Sequence, residues 1–176
     1  MKRLLIFRHA KAGPHDDAHD KARALIDRGR NDAALMGRAM CHRGYLPALV
    51  LCSSAKRTVE TWENAAPTLG GSPDVRFLDA LYDASDKAIL KTIQGVRDAA
   101  PLLMVIGHNP GLEDLARRLV RTPVDGPEKE RAAAMAKKFP TSAVAIIDFD
   151  ATSWADIDTG KGALADFLSP SDFKSA

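Results

Sequence analysis

Short uninterrupted runs of apolar residues punctuate the chain: Leu4-Leu5-Ile6-Phe7, Leu49-Val50-Leu51, Leu102-Leu103-Met104-Val105-Ile106 and Ala143-Val144-Ala145-Ile146-Ile147. Continuous rather than alternating hydrophobicity predicts strands covered on both faces, as in a parallel sheet. Val75-Arg76-Phe77-Leu78 is a weaker fifth candidate. Between these runs the apolar spacing turns helical. Leu112, Leu115, Ala116 and Leu119 share one face, with Arg117, Arg118 and Arg121 off it. Leu35 and Ala39, with Met36 and Met40, mark a second helix opening near Asn31 and closing before Gly44. Ala88, Ile89, Thr92, Ile93 and Val96 form a third stripe, with Ser85 placed to cap its start. Alternating strands and helices predict an α/β layered domain around a largely parallel sheet.

Residues 122–140 break this rhythm. Pro123, Asp125-Gly126 and Pro127 predict a loop, and the charged, Ala-rich run 128–138 predicts a short exposed helix. Ala132, Met135 and Phe139 would be its modest inner stripe. The segment reads as a solvated surface insertion, with partner recognition as the alternative. From Ser169 onward the small residues predict a tail trailing over the surface. No internal repeat or second domain is apparent, and 176 residues suit a single domain spanning 1–176.

Composition narrows the class. The apolar share is 45%, enough for a substantial core. Lys and Arg total 25 against 23 Asp and Glu, which removes the usual electrostatic case for nucleic acid or an anionic membrane as partner. Cys41 and Cys52 are too few for a disulfide framework or a cysteine-rich zinc site. The first apolar run stops at Arg8, short of the ~7–15 residues of an export signal, and no run approaches the ~20 of a membrane helix. The expectation is a cytoplasmic monomer.

In an open parallel sheet, ligands bind beyond the carboxyl ends of the strands. Those ends carry Arg8-His9, then Ser53-Ser54 followed by Lys56-Arg57, then Gly107-His108-Asn109-Pro110-Gly111. Two histidines and two arginines therefore converge. Forked guanidiniums suit a phosphoryl group, and a neutral imidazole can attack phosphorus to give a covalent intermediate. Arginines and a second histidine can supply the charge that a metal otherwise brings. Taken singly, His9 reads equally as a loop residue, Arg8 and Arg57 as surface charges, and 107–111 as a turn preparing a helix; their joint placement favours the site.

Other candidates are weaker. His15 and His19, in Pro14-His15-Asp16-Asp17-Ala18-His19-Asp20, have metal-ligand chemistry but read as a solvated connection. His42 sits where a cation favours a helix end. Cys52 reads as a small buried hydrophobe. Ser53 and Ser54 lack the glycines of a nucleophile elbow, and no Gly-x-Gly-x-x-Gly follows the first strand, which excludes a dinucleotide site.

Arg8-His9-Ala10-Lys11 after the first strand resembles the signature of the histidine phosphatase superfamily, the phosphoglycerate-mutase-like proteins. Ala10-Lys11, in place of the commoner glycine, is similar to its short SixA-like branch. The similarity continues through Asp27-Arg28-Gly29-Arg30, Ser53-Ser54-Ala55-Lys56-Arg57-Thr58, Leu81-Tyr82-Asp83-Ala84-Ser85, Gly107-His108-Asn109-Pro110-Gly111, Phe139-Pro140-Thr141-Ser142-Ala143 and Asp166-Phe167-Leu168-Ser169-Pro170.

The resemblance implies a three-layer α/β/α sandwich with a mostly parallel central sheet and a phosphatase needing no metal or cofactor. His9 would be the nucleophile, Arg8 and Arg57 would grip the phosphoryl oxygens, and His108 would stabilise the transferring group. Arg23 would line the pocket rim, although Ala24 stands where the branch usually has proline. Asp83 falls near the general acid of larger relatives, with a turn or capping role as its alternative. With neutral His9 as nucleophile, activity should fall below about pH 6, from the reference value near 6.5. The implied substrate is phosphohistidine on a phosphotransfer protein. A small phosphorylated metabolite, or phosphoprotein binding without catalysis, remains the alternative.

Overall fold

The computed structural model describes residues 1–97 and 99–174. Its sheet contains β1 (Lys2–Arg8), β2 (Leu49–Ser53), β3 (Asp74–Leu78), β4 (Leu102–Gly107), β5 (Val144–Phe149) and β6 (Ala163–Leu168), in the order β3-β2-β4-β1-β5-β6. The β1–β4, β2–β4 and β2–β3 pairs are parallel, whereas β5 runs antiparallel to both β1 and β6. The architecture is thus α/β with a mostly parallel sheet.

Helices cover both faces, as the continuous apolar runs require. On one face Leu5, Phe7, Val50, Met104 and Ile106 pack with Met36 and Met40 of α1 (Asp27–His42) and with Trp62, Ala65 and Leu69 of α2 (Lys56–Leu69). On the other, Leu4, Ile6, Leu103 and Val105 meet Ile89 and Ile93 of α3 (Asp86–Gln94), Leu112, Leu115 and Leu119 of α4 (Gly111–Leu119), and Met135 of α5 (Gly126–Lys137). Successive residues of one strand serve opposite cores because side chains alternate across the sheet. Ser85 caps α3, its hydroxyl accepting from Ala88 N at 3.2 Å.

The structure departs from the sequence reading in places. Helix α1 begins at Asp27 rather than near Asn31; its first turn, Asp-Arg-Gly-Arg, carries no apolar period. Strand β6 went unrecognised because Asp166 interrupts a weakly apolar stretch, its carboxylate accepting from Arg43 Nη1 and Tyr45 Oη at 3.0 Å each. As far as Lys174 the tail does not trail; 175–176 lie outside the described residues. Pro170 is buried, Ser169 and Asp172 form a capping box, and Lys174 Nζ lies 2.7 Å from the buried Asp32 carboxylate. Residues 122–140 do form a loop and a mostly exposed helix, with Met135 and Phe139 turned inward.

Candidate active site

The parallel β1–β4 register pairs Arg8 with Gly107, so the next residues of each strand, His9 and His108, emerge together. His9 N donates to Gly107 O at 3.1 Å, and the two imidazole centroids are 5.4 Å apart at 52°. Strand β2 ends beside β4 and delivers Ser53 and, in the first turn of α2, Arg57. His9, Arg57, His108 and Ser53 are all nearly inaccessible to solvent. His9, Arg57 and His108 meet in a cavity of about 860 Å³ whose wall also includes Arg8, Arg23, Tyr82 and Asp83.

Both histidines are held neutral. His9 Nδ1 lies 2.8 Å from Ala10 O, an acceptor, so Nδ1 carries the proton and Nε2 keeps its lone pair. Burial, reinforced by Arg57 and Arg8, lowers the His9 pKa to about 4. Burial and then Arg57 lower that of His108 to about 3. The acid limb therefore lies below the pH 6 expected from the reference value, because burial adds to the neighbouring guanidiniums in disfavouring imidazolium. Ser53 Oγ stands 2.7 Å from His108 Nε2.

The arginines share a pattern. Arg8 Nη1 donates to Phe139 O at 2.9 Å, and Arg57 donates from Nη1 to Asp20 O at 2.8 Å and from Nη2 to Asp20 Oδ2 at 3.2 Å. Each is held by its outer end. Arg8 Nε, Arg57 Nε and His108 Nδ1 are buried without a hydrogen-bond partner among the described residues. Asn109 Oδ1, on the same cavity, and Ser142 Oγ are also unpartnered. Buried polar atoms are seldom left so, and the two guanidinium Nε–H donors with the imidazole nitrogen mark a place able to receive hydrogen-bonding oxygens.

Asp20 is the residue that sequence reasoning passed over. It opens a 3₁₀ turn, Asp20–Ala22, within a loop closed by the Ala12–Leu25 bridge. Its carboxylate accepts from Tyr82 Oη at 2.5 Å and from Arg23 Nε at 3.0 Å. The Tyr82 hydrogen bond, helped by Arg57 and Arg23, lowers its pKa to about 2. No local spacing signals its tie to the site, since Arg57 and Tyr82 lie far along the chain and only Arg23 is near.

The remaining candidates fall into place around these. Arg23 lines the cavity and also donates to Gly13 O at 2.9 Å; Gly13 N donates to Ala24 O, so the loop closes with alanine at 24. Asp83 lines the cavity in a turn with φ 51°, a conformation that aspartate tolerates. His15 and His19 are exposed and contact Asp17 and Asp16, and His42 ends α1. Burial pushes the Cys52 thiol up to about 12, which leaves it unreactive at neutral pH. Among the described residues no helix is long and apolar enough to cross a membrane.

An α/β sheet with histidine and arginine at adjoining strand ends has the phosphoglycerate-mutase-like form. No family profile matches the chain. The uncharacterised protein Rv1276c of Mycobacterium tuberculosis is 34% identical over 166 residues, covering 93% of this chain and 99% of its own length. Two solved structures assigned as SixA phosphohistidine phosphatases superpose closely at 28% identity. That from Nakamurella multipartitia gives a TM-score of 0.79 and covers 96% of either chain. That from Agrobacterium tumefaciens gives 0.78 and covers 96% of this chain and 98% of its own. The chain belongs to the histidine phosphatase superfamily, in its SixA-like branch.

Proposed function

We propose that residues 1–176 act as one phosphatase domain that removes phosphate from phosphohistidine on a phosphotransfer protein, through a phosphohistidine intermediate at His9. The observation that carries this reading is the set of unpartnered buried atoms, Arg8 Nε, Arg57 Nε and His108 Nδ1, on residues that line one cavity with His9. They suit the oxygens of a phosphoryl group in flight. His9 Nε2 attacks phosphorus as the phosphorus–nitrogen bond to the substrate imidazole breaks. Water then attacks phosphorus of phospho-His9, releasing orthophosphate and restoring the neutral ring. Arg8 and Arg57 offset the charge on the equatorial oxygens, so the step asks for no metal.

The acid chemistry favours this substrate. A substrate ring that has taken a proton from solvent on its free nitrogen leaves as neutral imidazole, whereas an alkoxide needs a proton from an enzyme acid. Asp20, held near 2, is already ionised at neutral pH and holds no proton to give. Asp83, exposed on the cavity wall, is the carboxyl group available for an ester. A phosphohistidine substrate needs neither. The open cavity mouth suits a side chain on another protein, and a cytoplasmic monomer agrees with two unpaired cysteines, Cys41 and Cys52.

The test is phosphate release in EDTA from a phosphohistidine-bearing phosphotransfer protein, alongside a phosphomonoester. Turnover that survives EDTA, disappears in His9→Ala and persists in Asp83→Asn supports the reading. Turnover of the ester alone, abolished by Asp83→Asn, would move the assignment to a metabolite phosphatase. Binding without turnover would leave a phosphoprotein-binding module.

A further inference from the structure

We propose that Asp20 is the positioning residue for Arg57, its carboxylate and carbonyl together clamping the outer edge of the guanidinium so that the Nε edge faces the phosphoryl group. The inference rests on the phosphoryl site assigned above. Its basis is a parallel between the two arginines. Arg8 is fixed by a carbonyl, Phe139 O, delivered from the segment before β5. Arg57 is fixed by the whole of Asp20, one bond to each Nη. In both, Nε is buried and without a partner among the described residues. A guanidinium presents two forks, one across both Nη atoms and one across Nε and an Nη. Occupying the first orients the second.

Asp20 is itself held from several directions. Tyr82 Oη donates to Oδ2 at 2.5 Å, the oxygen that also receives Arg57 Nη2. Arg23 Nε donates to Oδ1 at 3.0 Å, and the next residue, Lys21, anchors the turn through Nζ to Asp79 Oδ1 at 2.9 Å. Tyr82 also meets the His108 ring edge-on at 5.7 Å and lies under the Arg57 guanidinium at 5.9 Å. One carboxylate thereby links the loop after β1, the turn after β3 and the start of α2. Hydrogen bonds from Ala10 N to Thr61 Oγ1 at 2.9 Å and from Leu25 N to Glu60 Oε2 at 2.7 Å also tie this loop to α2, but Asp20 is what bonds the Arg57 guanidinium itself. The role is steric and orientational: Asp20 touches Arg57, not the reacting atoms.

The experiment is a double-mutant cycle read on kcat/KM and on the dissociation constant for orthophosphate. Asp20→Ala keeps the backbone carbonyl and removes only the carboxylate. It should lower kcat/KM about 10- to 100-fold, the scale of a small misplacement of a site group, and weaken orthophosphate binding. In an Arg57→Ala background the same substitution should cost less than about threefold, while in Arg8→Ala it should cost its full factor, since only coupled residues depart from additivity. Asp20→Asn retains one acceptor oxygen and should recover part of the loss. Tyr82→Phe, which leaves the loop backbone untouched, should give a smaller loss that also vanishes without Arg57.

An equal cost in both arginine backgrounds would overturn the inference, because a loop-folding role does not discriminate between them. Tighter orthophosphate binding in Asp20→Ala would overturn it too, making the carboxylate a competitor for the anion. If wild type binds orthophosphate but turns over no substrate, the cycle on binding still decides. Coupling specific to Arg57 would uphold the positioning role while the proposed reaction fails, and its absence would overturn both.

Discussion

His9 and His108 are adjacent because their strands are: His9 N bonds to Gly107 O at 3.1 Å, and the rings stand 5.4 Å apart. Two imidazoles this close, beside Arg57 and Arg8, cannot readily both be charged, and burial settles both as neutral. The neutral form of His9, which the proposed attack requires, therefore persists well below the usual histidine range. Activity should stay level from pH 8 to roughly pH 5 and fall only toward the His9 value of about 4. The check is kcat/KM against pH, corrected for spontaneous hydrolysis. A midpoint near 6 would mean that the nucleophile is solvated in the working enzyme.

The same shifts bear on folding, and their sign is definite. Unfolded histidines bind protons near 6.5, whereas His9 and His108 bind them at about 4 and about 3 in the folded chain. Between roughly pH 6.5 and 4 the unfolded state holds more protons, so stability falls as pH falls, by up to about 1.4 kcal/mol per pH unit for each histidine. Urea titrations at pH 7.5, 6 and 5 should show this decline. His108→Gln should flatten it, because one of the two groups no longer titrates. An unchanged slope in that variant would place the proton uptake elsewhere.

Much of this was legible in the sequence because parallel sheets announce themselves. Strands β1, β2, β4 and β5 are buried on both faces, so their apolar runs are unbroken, and the strand-end rule then points to His9, Arg57 and His108. What escaped depends on contacts through space. Asp20 joins Arg57, Tyr82 and Arg23 from a loop whose composition resembles any solvated turn. Strand β6 is defined by pairing with β5, and the tail by the reach of Lys174 to Asp32. The depth of the histidine shifts was hidden for the same reason: burial is a property of the packed chain.

Ser53 offers a cleaner probe of His108 than changing the histidine itself. Its buried hydroxyl is 2.7 Å from His108 Nε2 and fixes which nitrogen is left unpartnered. Ser53→Ala removes that contact at little cost in volume. The loss of one buried hydrogen bond, about 1–2 kcal/mol, corresponds to roughly 5- to 30-fold in kcat. Single-turnover phosphate release, with thermal unfolding as a control, measures it. Full activity in Ser53→Ala would show that ring orientation comes from the Tyr82 contact instead.

Gly111 carries a backbone contact that ties the site's two walls together. A Cβ there would stand 2.0 Å from Ala84 O and 3.1 Å from Ala84 C, atoms that no rotamer change can withdraw. Helix α4 thus packs directly on the turn that carries Tyr82 and Asp83 and leads into the Ser85 cap. Gly111→Ala must displace that turn or α4, at the overpacking cost of about 1–3 kcal/mol. Gly95→Ala is the comparison: it ends α3 with φ −76°, and its Cβ would meet nothing closer than 3.4 Å. That variant should be neutral or slightly stabilising, since alanine restricts the unfolded chain. Denaturant midpoints should therefore separate the two alanines, and orthophosphate binding should weaken only in Gly111→Ala. Equal midpoints would mean that the α4 contact yields freely and does not hold the wall of the site.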